Sequence, residues 1–308
     1  MVNGMTQTTL AIETTDLSRS FGARQAVQDI NLTIPQGAIF GFLGPNGAGK
    51  TTMIRMLLGL IRPTSGSGRI LGHDIVQERT AILPHVGAIV ESPAFYPYLS
   101  GRDNLLVLMH TSGSKDTHRV AEVLQLVDLT QRADDKVKTY SLGMKQRLAI
   151  AAALLNRPDV IFLDEPTNGL DPAGTVEIRE LIRHLGQAGH TIFLSSHLLH
   201  EVEQVCSDVA IINQGQMVTQ GRVADLTGNA AGVLIEAEPL AILQAVAERM
   251  DAPLKVVGPR TGSLHLAPEL APRLVAALVH AGAQVHQVTP QRSSLEQRFL
   301  ELTRIDNR

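Results

Sequence analysis

GPNGAGKTT, Gly44–Thr52, is the stretch on which the reading of this chain turns. It matches the pattern G-x-x-x-x-G-K-[ST] in full. An apolar run, IFGFL (Ile39–Leu43), precedes it. Ile54, Leu57, Leu58 and Ile61 follow at one-face helical spacing, and Arg62-Pro63 ends that helix. Strand, glycine-rich loop and helix in this order make a phosphate cradle. Glycines let backbone N–H groups curl around phosphate oxygens, and the helix N-terminus adds partial positive charge. Lys50 supplies a point charge for the β and γ phosphates, and the Thr51 hydroxyl can ligate Mg²⁺. Gly44, Pro45, Asn46, Gly47, Ala48, Gly49, Lys50, Thr51 and Thr52 are therefore the candidate phosphate-binding residues. A glycine-rich turn without a ligand is the plain alternative, and it does not explain the flanking strand and helix.

Outward from the loop, short apolar runs alternate with helical patterns as far as about Arg222. VGAIV (Val86–Val90), VIFL (Val160–Leu163), TIFL (Thr191–Leu194) and VAII (Val209–Ile212) read, with IFGFL, as strands covered on both faces. Ile30, Leu32 and Ile34 alternate with polar residues, as in a half-exposed antiparallel strand, and NQGQ (Asn213–Gln216) reads as a hairpin turn. The expected fold is α/β, a P-loop NTPase with an antiparallel β subdomain and a helical block, followed by a small C-terminal α+β domain. The expected boundaries are 8–225 for the nucleotide-binding domain, with the helical subdomain at about 92–158, and 230–308 for the C-terminal domain. In the latter, VLIEAE, SLHLA and AQVHQV read as strands, with helices through Glu248 and His280 and a final amphipathic helix SSLEQRFLELT.

DVIFLDEPTNGLD (Asp159–Asp171) sets Asp164 and Glu165 at the carboxyl end of a buried strand, the edge where open α/β sheets hold ligands. Asp164 is the expected Mg²⁺ holder, through water, and Glu165 the residue that orients and polarises the attacking water. An acidic turn at a strand end is the bland reading. The phosphate loop in the same sheet argues against it.

YSLGMKQRLAIAAALL (Tyr140–Leu155) then narrows the class, because it resembles the signature motif of ABC ATPases and stands just before the acidic strand. Ser141 and Gly143 take the places of the family's Ser and second Gly, while Leu142 and Met144 replace its first Gly and its Gln. Ser141 is also a credible helix N-cap, whose hydroxyl and neighbouring amides can face an anion. The resemblance implies that this anion is the γ-phosphate of ATP held by an opposite subunit. It further implies that His197, after TIFLSS, is the switch histidine near the γ-phosphate. Asp171 would couple the two sites across a dimer, and Phe21 would stack on adenine. Lys50, Glu165 and His197 are thus the expected catalytic set. The resemblance covers roughly 10–222.

One position departs from the family pattern. Most ABC ATPases carry Gln after the strand that follows the phosphate-loop helix, and this chain has Glu91. A carboxylate keeps an oxygen for Mg²⁺ but adds negative charge near a triphosphate. Glu91 and SLGMKQ together resemble the ATPases of bacitracin-resistance and lantibiotic-immunity exporters, within the ABC-2-type transporters. Thr51, Glu91 and Asp164 form the expected metal set. Pro93, Phe95, Tyr96, Pro97 and Tyr98 read either as a docking surface for a permease or as local core.

The bulk numbers suit this reading. A chain of 308 residues with 44% hydrophobic and 19% charged residues has ample core for two domains. A net charge of −3 argues against a dedicated nucleic-acid binder. The lone Cys206 excludes an internal disulfide and reads as a small buried residue. No run approaches the roughly 20 apolar residues that span a bilayer, and MVNGMTQTTL lacks a signal-peptide pattern. The expectation is a cytoplasmic ATPase, peripheral on the inner face of the membrane, using ATP and Mg²⁺. Its expected partners are a second copy of itself and a separate multi-span permease that exports an antimicrobial peptide or drug. The rival, a soluble ABC ATPase of DNA repair or translation, expects long coiled coils or two cassettes, and neither is present in this sequence.

Overall fold

The computed structural model describes residues 9–91, 94–114, 116–227 and 232–291, together with 295, 296 and 299. Contacts divide the chain into two compact units, Met1–Gly221 and Arg222–Arg308.

The first unit carries two sheets. β1 (Leu10–Phe21), β2 (Arg24–Pro35), β4 (Ser65–Ile70) and β5 (His73–Asp74) form an antiparallel sheet in the order β2-β1-β4-β5. Ile30, Leu32 and Ile34 are buried at alternate positions of β2, so its apolar face is the inner one. The second sheet has the order β10-β9-β3-β8-β7-β6, with β3 (Ile39–Leu43), β6 (Val86–Ile89), β7 (Val160–Asp164), β8 (Thr191–Ser196), β9 (Asp208–Asn213) and β10 (Gln216–Arg222). β3 pairs in parallel with β8 and β9, and β7 with β6 and β8. Every residue of β7 and β8 is buried, which is why these segments are continuously apolar rather than alternating. Phe193 of β8 stacks obliquely on Phe40, Phe42 and Phe162 at ring-centroid distances of 5.8, 5.5 and 5.3 Å. Gln214 and Gly215, both at positive φ, make the two-residue turn between β9 and β10.

The helix after the glycine-rich loop is shorter than its apolar spacing predicts. It spans Lys50–Leu57, and Ile61 lies beyond it. Gly59 adopts φ +64°, with its N–H bonded to the Met56 carbonyl and the Leu60 N–H bonded to that of Arg55. That pair of bonds is a glycine-terminated helix end, so the chain turns before Pro63 is reached. Met53, Ile54, Met56 and Leu57 share one core cluster with residues of both sheets, so this helix is packed between them.

Between β6 and β7 lie helices Gly101–Thr111, Thr117–Leu126 and Leu142–Ala153. Each starts at a polar cap. Ser100, Asp116 and Ser141 accept from the amides of Asp103, Arg119 and Met144. Tyr96 and Tyr98 are exposed, Phe95 is half-buried, and Pro93 lies outside the described residues.

The second unit has the chain order strand, helix, strand, strand, helix, strand: β11 (Gly232–Glu238), helix Leu240–Arg249, β12 (Leu254–Val256), β13 (Thr261–Leu264), helix Ala271–His280 and β14 (Gln284–Gln291). The sheet order β12-β13-β11-β14 is antiparallel throughout, a split β-α-β arrangement. Val233, Ile235, Leu243, Val246, Leu264, Leu274 and Leu278 make its core. SLHLA is strand only as far as Leu264, and β12 is an element that its three-residue length hid from periodicity. The expected final helix SSLEQRFLELT falls largely outside the described residues.

Candidate active site

The loop that leaves β3 is shaped by its neighbours as much as by its own glycines. A Cβ on Gly44 would stand 2.3 Å from the Ile212 carbonyl oxygen. One on Gly49, at φ +111°, would stand 2.4 Å from that of Ala26. Two backbone bonds brace the loop, Gly44 N–H to the Ser196 carbonyl at 3.3 Å and Gly215 N–H to the Ala48 carbonyl at 3.0 Å. Gly49 caps helix Lys50–Leu57 without a side chain, so the first-turn amides have no capping side-chain acceptor at that position. Such a terminus attracts an anion.

Lys50 is buried, and its ammonium donates to the carbonyls of Gly44 at 2.7 Å and Pro45 at 3.2 Å. It also lies 3.1 Å from Oε1 of Glu165. The other carboxylate oxygen of Glu165 lies 2.7 Å from Nδ1 of His197. One carboxylate therefore links the loop's cation to the imidazole that follows β8. Asp164, one residue earlier and buried, accepts from the Thr51 hydroxyl at 2.8 Å and from the Ser195 hydroxyl.

Phe21, Asn46, Gly47, Gly49, Lys50, Thr51, Thr52, Glu165 and His197 line one open cleft of about 390 Å³. Phe21 is half exposed there, with the Arg19 guanidinium 4.6 Å from its ring centroid. Arg24, Ala26 and Asn168 line the same cleft and were not anticipated. Asn168 sits within the PTNGLD run that carries Asp171. Arg24 enters from the other sheet, and no local signal marks it.

Gly44, Pro45, Ala48 and Asp164 belong to the loop and strand end behind the lining, and four further expected residues, Glu91, Ser141, Gly143 and Asp171, do not line this cleft either. Glu91 is exposed at the end of β6, at φ +64°, and its carboxylate pairs with Arg55 on the outer side of the phosphate-loop helix. Ser141 is exposed at the start of helix Leu142–Ala153, and a Cβ on Gly143 would meet nothing closer than 3.9 Å. Asp171 caps helix Pro172–Gln187, accepting from the Gly174 amide at 3.0 Å. The Leu142 side chain lies against Gly169, and that of Leu170 near Gly143, so the two helix starts are neighbours on one exposed face.

Cys206 takes no part. It is buried, and burial pushes its thiol far up from the ordinary value, which disfavours the reactive thiolate.

Mg²⁺ takes oxygen ligands and keeps most of its water, so it needs few protein groups. The Thr51 hydroxyl and the Asp164 carboxylate, hydrogen-bonded at the mouth of the loop, are a donor set of that kind. No cluster of three or more His, Cys, Asp or Glu that would suit a fully protein-ligated metal occurs among the described residues.

The ABC transporter family model matches residues 27–168. Over 294 residues, 95% of each chain, the protein is 40% identical to the uncharacterized ABC transporter ATP-binding protein YhcH of Bacillus subtilis (strain 168). It is 48% identical over 210 residues to the bacitracin transport ATP-binding protein BcrA of Bacillus licheniformis, covering 68% of this chain and 69% of that one. A solved ATP binding subunit of an ABC transporter shares the fold with a TM-score of 0.62, at 24% identity, over 87% of this chain and 99% of that one. A cleft built from a phosphate loop, an acidic strand end and a histidine, in a chain with a relative this similar along nearly its whole length, leads to one conclusion: the chain belongs to the ATP-binding proteins of ABC transporters, and it is an ATPase.

Proposed function

We propose that this protein powers an exporter. In this reading it works as a head-to-tail homodimer docked on a separate multi-span permease at the inner face of the membrane. The observation that carries the proposal is a separation. Lys50, Glu165 and His197 converge in one cleft, whereas Ser141 and Gly143 present an exposed, capped helix start outside it. A helix start of that kind suits the phosphates of a second copy. Asp171, beside it, suits contact with the same copy.

In the proposed reaction the loop amides and Lys50 hold the triphosphate, which draws Lys50 away from Glu165. The freed carboxylate orients the attacking water and takes its proton, while His197 fixes the carboxylate's angle. Phe21 offers its ring to the adenine. Thr51 and Asp164 would hold Mg²⁺, which neutralises charge on the β and γ phosphates when bound. Glu91 sits with Arg55, a pairing that offsets its extra negative charge, and the proposal gives it a role in slow but coupled hydrolysis. The exposed Tyr96 and Tyr98 suit a permease contact.

No helix among the described residues is long and apolar enough to cross a membrane. The likeness to the bacitracin transport protein supports an antimicrobial cargo. The proposed domains are 8–225 for ATP hydrolysis and 230–308 for dimerisation or regulation.

Glu165→Gln tests the mechanism. The variant is expected to bind ATP, to lose about 10²- to 10⁴-fold in turnover as a missing general base does, and to accumulate as an ATP-bound dimer in size-exclusion chromatography. Near-normal hydrolysis would remove Glu165 from the role.

A further inference from the structure

We infer that Ser195 is a positioning residue for hydrolysis. Its hydroxyl locks Glu165 and Asp164 into their working geometry.

The argument starts from the backbone. Glu165 adopts φ +50°, a left-handed conformation that a residue with a Cβ enters at a cost. Such a conformation persists only where its surroundings over-determine it. Here the surroundings are the end of β8. The Glu165 amide donates to the Ser195 hydroxyl at 3.0 Å and faces the Ser195 carbonyl at 3.2 Å. The same hydroxyl donates to Oδ1 of Asp164, whose other oxygen takes the Thr51 hydroxyl.

Ser195 thus uses both hydrogen-bonding capacities of one hydroxyl, accepting from one acidic residue's backbone and donating to the other's side chain. It is completely buried, and Asp164 nearly so, which makes the pair insensitive to solvent and costly to leave unmade. The register pairs Asp164 with Ser195 directly across β7 and β8, and the next carbonyl, that of Ser196, holds the Gly44 amide of the phosphate loop. Only a small side chain with a donor and an acceptor fits this role. Alanine removes both functions, and threonine retains them.

Ser195 touches neither water nor phosphate in this scheme, so it acts through Glu165 and Asp164. The inference rests on the reading of Glu165 as the residue that acts on water. Glu165→Gln tests that reading separately.

The experiment compares Ser195→Ala, Ser195→Thr, Glu165→Gln and the double variant Ser195→Ala/Glu165→Gln in the full chain. Misplacement of a catalytic group by about 1 Å costs on the order of 100-fold, so kcat of Ser195→Ala should fall by roughly 10- to 100-fold. Its metal-free affinity for a fluorescent ATP analogue should stay within about twofold, because the loop and Lys50 are untouched. Ser195→Thr should keep at least about a third of the wild-type rate. In single-turnover hydrolysis the alanine change should cost little in the Glu165→Gln background, since groups acting as a unit are non-additive. The inference is overturned if Ser195→Ala turns over normally, if Ser195→Thr loses as much as Ser195→Ala, or if the alanine loss is undiminished without Glu165. It is also overturned if Ser195→Ala fails to fold, which would make the hydroxyl a core requirement. If Glu165→Gln alone hydrolyses normally, the proposed mechanism fails instead.

Discussion

The ammonium of Lys50 lies 3.1 Å from the carboxylate of Glu165, although one residue starts a helix, the other follows strand β7, and the two are far apart in the chain. The cation expected to hold phosphate and the carboxylate expected to act on water neutralise each other in this structure. Because Lys50 is buried, an unpaired charge there would be strongly unfavourable. An incoming triphosphate can replace Glu165 as the counter-ion of Lys50, and the same exchange frees the carboxylate.

Removing the cation should therefore weaken binding before it affects chemistry. A hydrogen bond to a charged group contributes about 1.5–3 kcal/mol, so Lys50→Ala should raise the dissociation constant for ATP by about 10- to 100-fold. Equilibrium titration with a fluorescent nucleotide measures this directly. An unchanged affinity would place the triphosphate elsewhere.

In the proposed reading Phe21 contributes by its ring face rather than by any polar atom. Aromatic contacts of this kind are worth about 0.5–1.5 kcal/mol beyond burial, so Phe21→Ala should weaken ATP binding roughly 2- to 12-fold. Phe21→Tyr should stay near wild type. The residue is half exposed, so melting temperature should hardly move for either variant.

The proposed Mg²⁺ site at the Thr51–Asp164 pair predicts metal dependence. Chelation with EDTA should stop hydrolysis while leaving nucleotide binding measurable. Thr51→Val should raise the Mg²⁺ concentration needed for half-maximal turnover. A titration of rate against Mg²⁺ at saturating ATP distinguishes wild type from variant.

The aromatic cluster under the site sets stability. Phe193 is fully buried against Phe40, Phe42 and Phe162, and a buried Phe→Ala change costs about 3–5 kcal/mol. Phe193→Ala should shift the denaturant midpoint downward by a corresponding amount, and its effect on activity should follow loss of folded protein.

Cys206 gives a pH dependence with a definite sign. Burial raises its folded pKa above the ordinary thiol value of 9.0, so the folded state favours the protonated form. The stability linked to this group is fully present below that ordinary value and is lost as the pH rises above it. Stability of the wild type should decline in the alkaline range, and Cys206→Ala should flatten that decline. In the folded protein a thiol reagent such as DTNB should label nothing until denaturant is added.

Much of the site was readable because its chemistry is local. The glycines of Gly44–Thr52 mark a cradle even though neighbouring strands brace it, and the continuous apolar runs before them and before Asp164 read as covered strands. The helix end at Gly59 was also written in the residues, but a single glycine was outweighed by the apolar pattern running on to Ile61. Strand β12 escaped because three residues show no period.

Arg24, Asn168 and Ser195 were invisible for a different reason. Asn168 and Ser195 lie inside stretches that carry other site residues, but their contacts, like those of Arg24, depend on which strands become neighbours. The chain by itself pointed to a bound nucleoside triphosphate, with Lys50, Asp164 and Glu165 as the groups expected to handle it and His197 added by the family resemblance. Only the tertiary structure decided that Glu165 pairs with both Lys50 and His197, that Glu91 turns to Arg55, and that one serine hydroxyl joins the two acids. The physical reason is reach. Turns, caps and periodicity act over a few residues, whereas a hydrogen bond across a sheet exists only once burial of the strands has brought distant segments within 3 Å or so of each other.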